Sequence, residues 1–172
     1  MKIRLYGTVN DSIVDGPGLR YVIFTQGCLH HCPGCHNPDS HAIDGGYIED
    51  TEQCLLEIDQ NPLLDGVTLS GGEPFLQATA LIHFVQKVKK RHLHVMIYSG
   101  YTFEEILEVG DEEKKLLSLC DTLVDGKFIL SLKSMELLYK GSSNQRIIDI
   151  QASLKTHMVI EQEINEYGEF VF

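Results

Sequence analysis

The sequence is short of positive charge. It has 14 Lys and Arg against 25 Asp and Glu, a formal net charge of -11. So acidic a chain is a poor general binder of nucleic acid or of anionic membrane surfaces. It also lacks an apolar run long enough to cross a bilayer. Its start, Met1 to Gly7, lacks the hydrophobic stretch of a secretory signal. Internal repeats, low-complexity tracts and linkers are absent too, and 172 residues suit one domain with a sizeable core. A single domain over residues 1–172 is therefore expected. Cysteine is scarce and odd in number: five, three of them crowded into eight residues. That excludes a secreted disulfide framework and points to the reducing cytoplasm.

What is present centres on that crowd. Cys28, Cys32 and Cys35 are spaced C-x3-C-x2-C. Three thiolates on one loop can hold three corners of a cubane iron–sulfur cluster, where a full cysteine shell needs four. The remaining iron is then open to a ligand, and open metal positions are where chemistry occurs. A zinc site of Cys3His type, using His30, His31 or His36, is the bland alternative. A thiol redox pair at Cys32 and Cys35 would leave Cys28 without a role.

Strand and helix patterns alternate along the chain. Arg20 to Thr25, Gly66 to Ser70, Leu93 to Tyr98 and Asp121 to Val124 read as buried strands. Helices are expected over Glu52 to Gln60, about Leu76 to Lys90, from Thr102 with a capping box to Glu105, and over Asp111 to Leu119. Residues 9–20 read as a turn-rich lead-in, Ser131 to Tyr139 as helix and Thr156 to Ile160 as a late strand. Such alternation implies an α/β fold with a mainly parallel sheet of four to six strands. The chain is too short for a closed eight-unit barrel of typically about 250 residues, so a partial, open (βα) barrel is expected.

The motifs fall at strand ends, where α/β proteins carry their sites. Gly71-Gly72-Glu73-Pro74 offers close backbone approach and a carboxylate that suits an ammonium group. It would also serve as a plain strand-to-helix turn. Asp15-Gly16-Pro17-Gly18 reads as a tight turn before a buried strand. Gly141 to Arg146 reads as a polar loop or cap, Asp125 as a strand-end cap or a carboxylate beside a ligand, and Cys54 and Cys120 as inert core residues.

Taken together, the cysteine loop and Gly71-Gly72-Glu73-Pro74 resemble the radical S-adenosylmethionine superfamily. Asp15-Gly16-Pro17-Gly18 with Arg20, then Gly27-Cys28, is similar to its glycyl-radical-activating branch. Val124 to Phe128 and Gly141 to Asp149 resemble the activators of anaerobic ribonucleoside-triphosphate reductase. The resemblance spans about residues 6–155. It implies a [4Fe–4S] cluster on Cys28, Cys32 and Cys35, with S-adenosylmethionine chelating the fourth iron. Gly34, Cys35 and His36 match the segment whose backbone approaches the adenine. Gly71, Gly72 and Glu73 match the segment that receives the methionine amino group. No catalytic side chain is implied beyond the cluster ligands. The implied chemistry is reductive cleavage to a 5′-deoxyadenosyl radical, which takes a hydrogen from a glycine of the partner reductase. A reduced flavodoxin is the implied electron donor, with Lys87 to Arg91 as a docking patch. Activators of pyruvate formate-lyase carry an Asp on the strand that here ends Tyr98-Ser99-Gly100-Tyr101. Its lack here puts a cation site that includes Asp125 in question. The competing functions are another small radical enzyme, such as a deazaguanine-forming synthase or a different glycyl-radical activator, and a zinc-binding interaction module.

Overall fold

Four short runs of β-branched and aromatic residues set the frame, because segments of this length bury fully only as strands. They are β2 (Arg20–Thr25), β4 (Gly66–Gly71), β5 (His94–Tyr98) and β6 (Thr122–Asp125), adjacent and parallel in the computed structural model, which describes residues 1–171. Phe172, the last residue of the expected unit, lies outside them. Three antiparallel strands extend this centre: β1 (Lys2–Ser12), β3 (Tyr47–Asp50) and β7 (Arg146–Asp149). The sheet order is β3-β1-β2-β4-β5-β6-β7, an open sheet of seven strands.

Each parallel strand pairs with the next one in sequence, so right-handed crossovers carry all the connecting helices to one face. These are α1 (Thr51–Asp59), α2 (Ala78–Lys89), α3 (Phe103–Val109) and α4 (Asp111–Leu119), with α5 (Ile150–Thr156) after β7. α2 lies between α1 and α4, and α4 also meets α3 and α5. Alternate strand residues face this layer: Tyr21, Ile23, Val67, Leu69, Val95, Ile97 and Leu123 join Leu81, Phe84 and Leu117 in the main core. The opposite face carries Met96, Val124 and Ile147, covered at one end by Tyr139, Ile164 and Phe170. Helices on a single face leave the other free to form a cleft.

The capping box is present: Thr102 Oγ1 accepts from the Glu105 amide and the Glu105 carboxylate from the Thr102 amide. Other expectations need correction. β1 runs to Ser12, so the turn-rich stretch begins only at Ile13. Leu76 lies in a one-turn 3-10 helix, Pro74–Gln77, ahead of α2. Ser131 to Tyr139 is not an α-helix. It holds only the end of a 3-10 turn, Leu130–Leu132, and Met135 is 87% exposed. Leu132, Met135 and Leu138 stay exposed, so too little apolar burial offsets the cost of ordering a helix. Thr156 to Ile160 is not a strand either. α5 ends at Thr156, and His157 turns the chain with a left-handed φ of 57°.

Arg20 anchors the lead-in loop beneath the open face. It is 1% exposed. Its Nε donates to Thr68 Oγ1 at 2.6 Å, Nη1 to the Pro17 carbonyl at 3.0 Å and Nη2 to the Val67 carbonyl at 2.8 Å. Thr68 Oγ1 donates in turn to the Asp15 carbonyl at 2.7 Å. Neutral carbonyls satisfy most of this cation, and burial lowers its pKa to about 10, so it keeps its charge at neutral pH. Arg20 Nη2 also meets His94 Nδ1 at 3.1 Å. Arginine can only donate, so Nδ1 is the acceptor and the proton sits on Nε2, 3.1 Å from Thr122 Oγ1. Burial first, and the Arg20 charge second, push the His94 pKa from 6.5 down to about 4. Between those two values the unfolded chain binds a proton that the folded chain refuses. This contribution is therefore complete above pH 6.5 and is lost as pH falls toward 4, by at most about 3 kcal/mol. Urea unfolding of wild type and His94→Gln at pH 7 and pH 4.5 checks this: the stability gap between them should change with pH, and a constant gap contradicts it.

Candidate active site

The cysteine loop leaves the C-terminal end of β2 and closes on its own base. The Gly27 amide donates to the Ser40 carbonyl at 2.7 Å, and the Cys28 amide to the His41 carbonyl at 3.1 Å. Gln26 Nε2 donates to the carbonyls of Asp39 and Ala42. Inside the loop the Cys35 amide donates to the Cys32 carbonyl at 3.1 Å, a turn that Gly34 permits with φ of 75°. Leu130, from the irregular segment after β6, lies against Gly34. All five cysteines are free thiols.

Cys28, Cys32 and Cys35 open onto one cleft of about 430 Å³ on the open face of the sheet. That volume is in the range of small-molecule sites. His36, Gly71 and Gly72 line it as well, so the structure gathers most of the expected site. Phe24, Tyr98, Ser99, Gly100, Phe128, Tyr139 and Lys140 complete much of the wall, and sequence reasoning had not picked them out as site residues. The local signals for them are Ser99-Gly100 directly after a buried strand, and Phe128 at the end of the Val124 to Phe128 motif.

Four residues behave differently from the motif reading. Gly34 shapes the cysteine turn and is not among the lining residues. Gly71 and Gly72 do line the cleft, but their missing side chains serve internal packing. A Cβ on Gly71, whose φ is 96°, would collide with Phe24 and Thr25, and one on Gly72 with the Gly27 carbonyl. Glu73 is 1% exposed and turned inward. Its Oε2 accepts from the Gly100 amide at 2.9 Å and lies 2.7 Å from His30 Nε2. Ser99 Oγ lies 3.0 Å from both carboxylate oxygens, and the Phe75 amide donates to Oε1 at 3.1 Å. Glu73 therefore locks the ends of β4 and β5 to the cysteine loop.

Asp125 is also buried and occupied. It takes Arg146 at 2.6 and 3.1 Å and the Phe103 amide at 2.7 Å. An internal cation thus neutralises this carboxylate.

The donor set fits a multi-iron cluster better than a single ion. Among the described residues no three His, Cys, Asp or Glu side chains stand close enough to hold one metal ion. Thiolates that bind three different irons stand farther apart than three that converge on one zinc. Burial pushes the Cys28 thiol above its ordinary pKa, and Glu73, Cys32 and Cys35 push it the same way. A backbone hydrogen bond from His30 works in the opposite direction.

Comparison with known proteins agrees. The family described as "4Fe-4S single cluster domain" matches residues 14–148. The anaerobic ribonucleoside-triphosphate reductase-activating protein of Vibrio cholerae is 34% identical over 143 residues, 78% of this chain and 90% of that protein. Its counterpart in Escherichia coli is 32% identical over 143 residues, 77% of this chain and 90% of that protein. The pyruvate formate-lyase-activating enzyme of Listeria monocytogenes is 36% identical over 159 residues, 88% of this chain but 63% of the relative. The chain belongs to the 4Fe-4S single cluster domain family and, by likeness over nine-tenths of their length, to the family of anaerobic ribonucleoside-triphosphate reductase-activating proteins.

Proposed function

We propose that this protein activates an anaerobic ribonucleoside-triphosphate reductase by generating a glycyl radical on it. It is an oxidoreductase of the radical S-adenosylmethionine type. The observation that carries this is the meeting of Cys28, Cys32 and Cys35 with Gly71 and Gly72 on one cleft, in a chain that spans 90% of relatives named as activators of that reductase.

When bound, a [4Fe–4S] cluster and S-adenosylmethionine supply the one-electron bond cleavage that leads to hydrogen removal from a glycine of the partner. The chain's own residues hold and enclose them. Cys28, Cys32 and Cys35 are the cluster ligands. Cys35 and His36 would lie toward the adenosyl end, with Gly34 shaping the turn that carries them, and Gly71 and Gly72 would lie toward the methionine end. Glu73 acts through Ser99, Gly100 and His30 by fixing the wall around that end. Phe24, Phe128 and Tyr98 supply apolar surface that keeps water from the reacting atoms. We read the singly covered sheet as a partial (βα) barrel of the radical S-adenosylmethionine type, formed by the described residues 1–171 as one unit, its open face left for the partner's glycine segment. No helix among the described residues is long and apolar enough to cross a membrane, which accords with work in the cytoplasm.

A reduced flavodoxin is the proposed electron donor. Of the basic patch suggested for it, Lys87, Lys89 and Arg91 are paired with Glu52, Asp121 and Asp59.

The test is anaerobic reconstitution followed by electron paramagnetic resonance. The reduced cluster signal should change on adding S-adenosylmethionine. A glycyl radical doublet should then appear on the reductase and be absent when the reductase glycine is replaced by alanine. A radical formed only on pyruvate formate-lyase would transfer the assignment to that partner, and none on either would refute activation.

A further inference from the structure

Residues 127–140 form a strap after β6 that keeps many of its apolar side chains in water. Ile129, Leu130, Leu132, Met135 and Leu138 are all exposed, Met135 almost wholly. The strap is nevertheless held in place. The Ile129 amide donates to Ser142 Oγ at 3.2 Å, and the Ser143 amide to the Leu132 carbonyl at 2.9 Å. Tyr98 Oη donates to the Tyr139 carbonyl at 2.6 Å, and Tyr139 Oη to the Gly168 carbonyl at 2.7 Å. These bonds hold Tyr139 at a left-handed φ of 61°, which a bulky residue rarely adopts. Hydrogen bonds thus fix the course of the strap, and much of its apolar surface is left over. A contiguous exposed apolar surface of this kind marks an interaction site.

The strap borders the cleft. Phe128, Leu137 and Tyr139 line the cleft wall, and Leu130 lies against Gly34 of the cysteine loop. Val14, directly after β1, lines the same cleft and is 74% exposed, next to the equally exposed Ile13. Apolar surface therefore continues from the cleft wall onto the outside of the protein, along the route that a partner's glycine has to take.

Charge narrows the choice of partner. Residues 127–140 hold three lysines, Lys127, Lys133 and Lys140, against one carboxylate, Glu136, in a chain whose net charge is -11. Lys127 and Lys133 are exposed, and among the described residues neither forms a salt bridge. Two copies of this strap would bring like charges together, so a second copy of the chain fits it poorly. Apolar side chains bordered by carboxylates fit it well.

We propose that the strap, together with Ile13 and Val14, is the docking surface for the reductase, and that it takes a segment flanking the reductase's glycine whose apolar side chains are bordered by Asp or Glu. This rests on the function proposed above. The test uses anaerobically reconstituted protein with dithionite as reductant. It measures S-adenosylmethionine cleavage without reductase, reductase binding, and glycyl radical yield on the reductase. Leu132→Glu combined with Met135→Glu should weaken reductase binding about 10- to 100-fold and lower the radical yield with it. Iron content, circular dichroism and cleavage without reductase should match wild type. Lys133→Glu should weaken binding about 3- to 10-fold at low ionic strength and much less at high, while Lys133→Arg binds as wild type does. Wild-type binding in the double variant, or in Lys133→Glu at low ionic strength, overturns the proposal. So does an equal loss of cleavage without reductase, which would make the strap part of the cleft alone. A defect seen only when a flavodoxin replaces dithionite also overturns it and assigns the strap to the electron donor. If wild type itself forms no radical on the reductase, the proposed function falls and this inference with it.

Discussion

Cys28→Ala, Cys32→Ala and Cys35→Ala each yield a folded protein with little cluster iron, in which S-adenosylmethionine cleavage falls by at least three orders of magnitude, on the order of 4 kcal/mol in the barrier. On the proposed assignment the three positions fail together, because each thiol would hold a different corner of one assembly and the two remaining cysteines lie in the core on the other side of the sheet. Cys28 is the most buried of the three, so its loss also removes packing at the base of the loop. Cys54→Ala and Cys120→Ala are the controls. Both thiols lie in the main core on the helical side of the sheet. Burial pushes the Cys54 thiol up to about 11 and that of Cys120 up as well, so neither is a ready ligand or nucleophile. These two variants should retain cluster and turnover at a cost of about 1 kcal/mol in stability. Iron and sulfide analysis with turnover assays decides the matter. Full activity in any of the first three variants, or loss of iron in either control, contradicts the ligand assignment.

Glu73→Ala should lower stability by about 3–5 kcal/mol, because it strips the acceptor from several buried donors at once. Ser99 Oγ, the Gly100 and Phe75 amides and His30 Nε2 all lose their partner. For a chain of this size the melting temperature should drop by about 10 °C. Thermal unfolding of the cluster-free protein isolates the effect from cofactor loss. His30→Ala removes one of these bonds and should cost less than half as much. A melting temperature within 2 °C of wild type in Glu73→Ala would mean that the carboxylate is free to serve the ligand directly, as the glycine motif alone suggests.

These two experiments separate what short-range pattern can carry from what it cannot. The three cysteines were legible because their spacing lies within one loop, and a strand end is where such a loop belongs. β2 was legible to the residue, since a strand buried on both faces is a continuous apolar run. The Thr102 capping box, too, is a matter of four consecutive residues.

β7 was missed because its four residues carry no periodicity of their own; pairing with β6 alone makes them a strand. Ser131 to Tyr139 has apolar residues at helical spacing, but Leu132, Met135 and Leu138 find no surface to bury them on. Glu73 joins groups 26 and 43 residues away, and Gly141 comes against His36 of the cysteine loop across more than a hundred residues of chain. By itself the sequence determined the cysteine loop, the four parallel strands and the helices that connect them, because those depend on neighbours in the chain. Only the tertiary structure decided which charges face the cleft and which are spent within the protein. Burial and hydrogen-bond partners are set by residues distant in sequence.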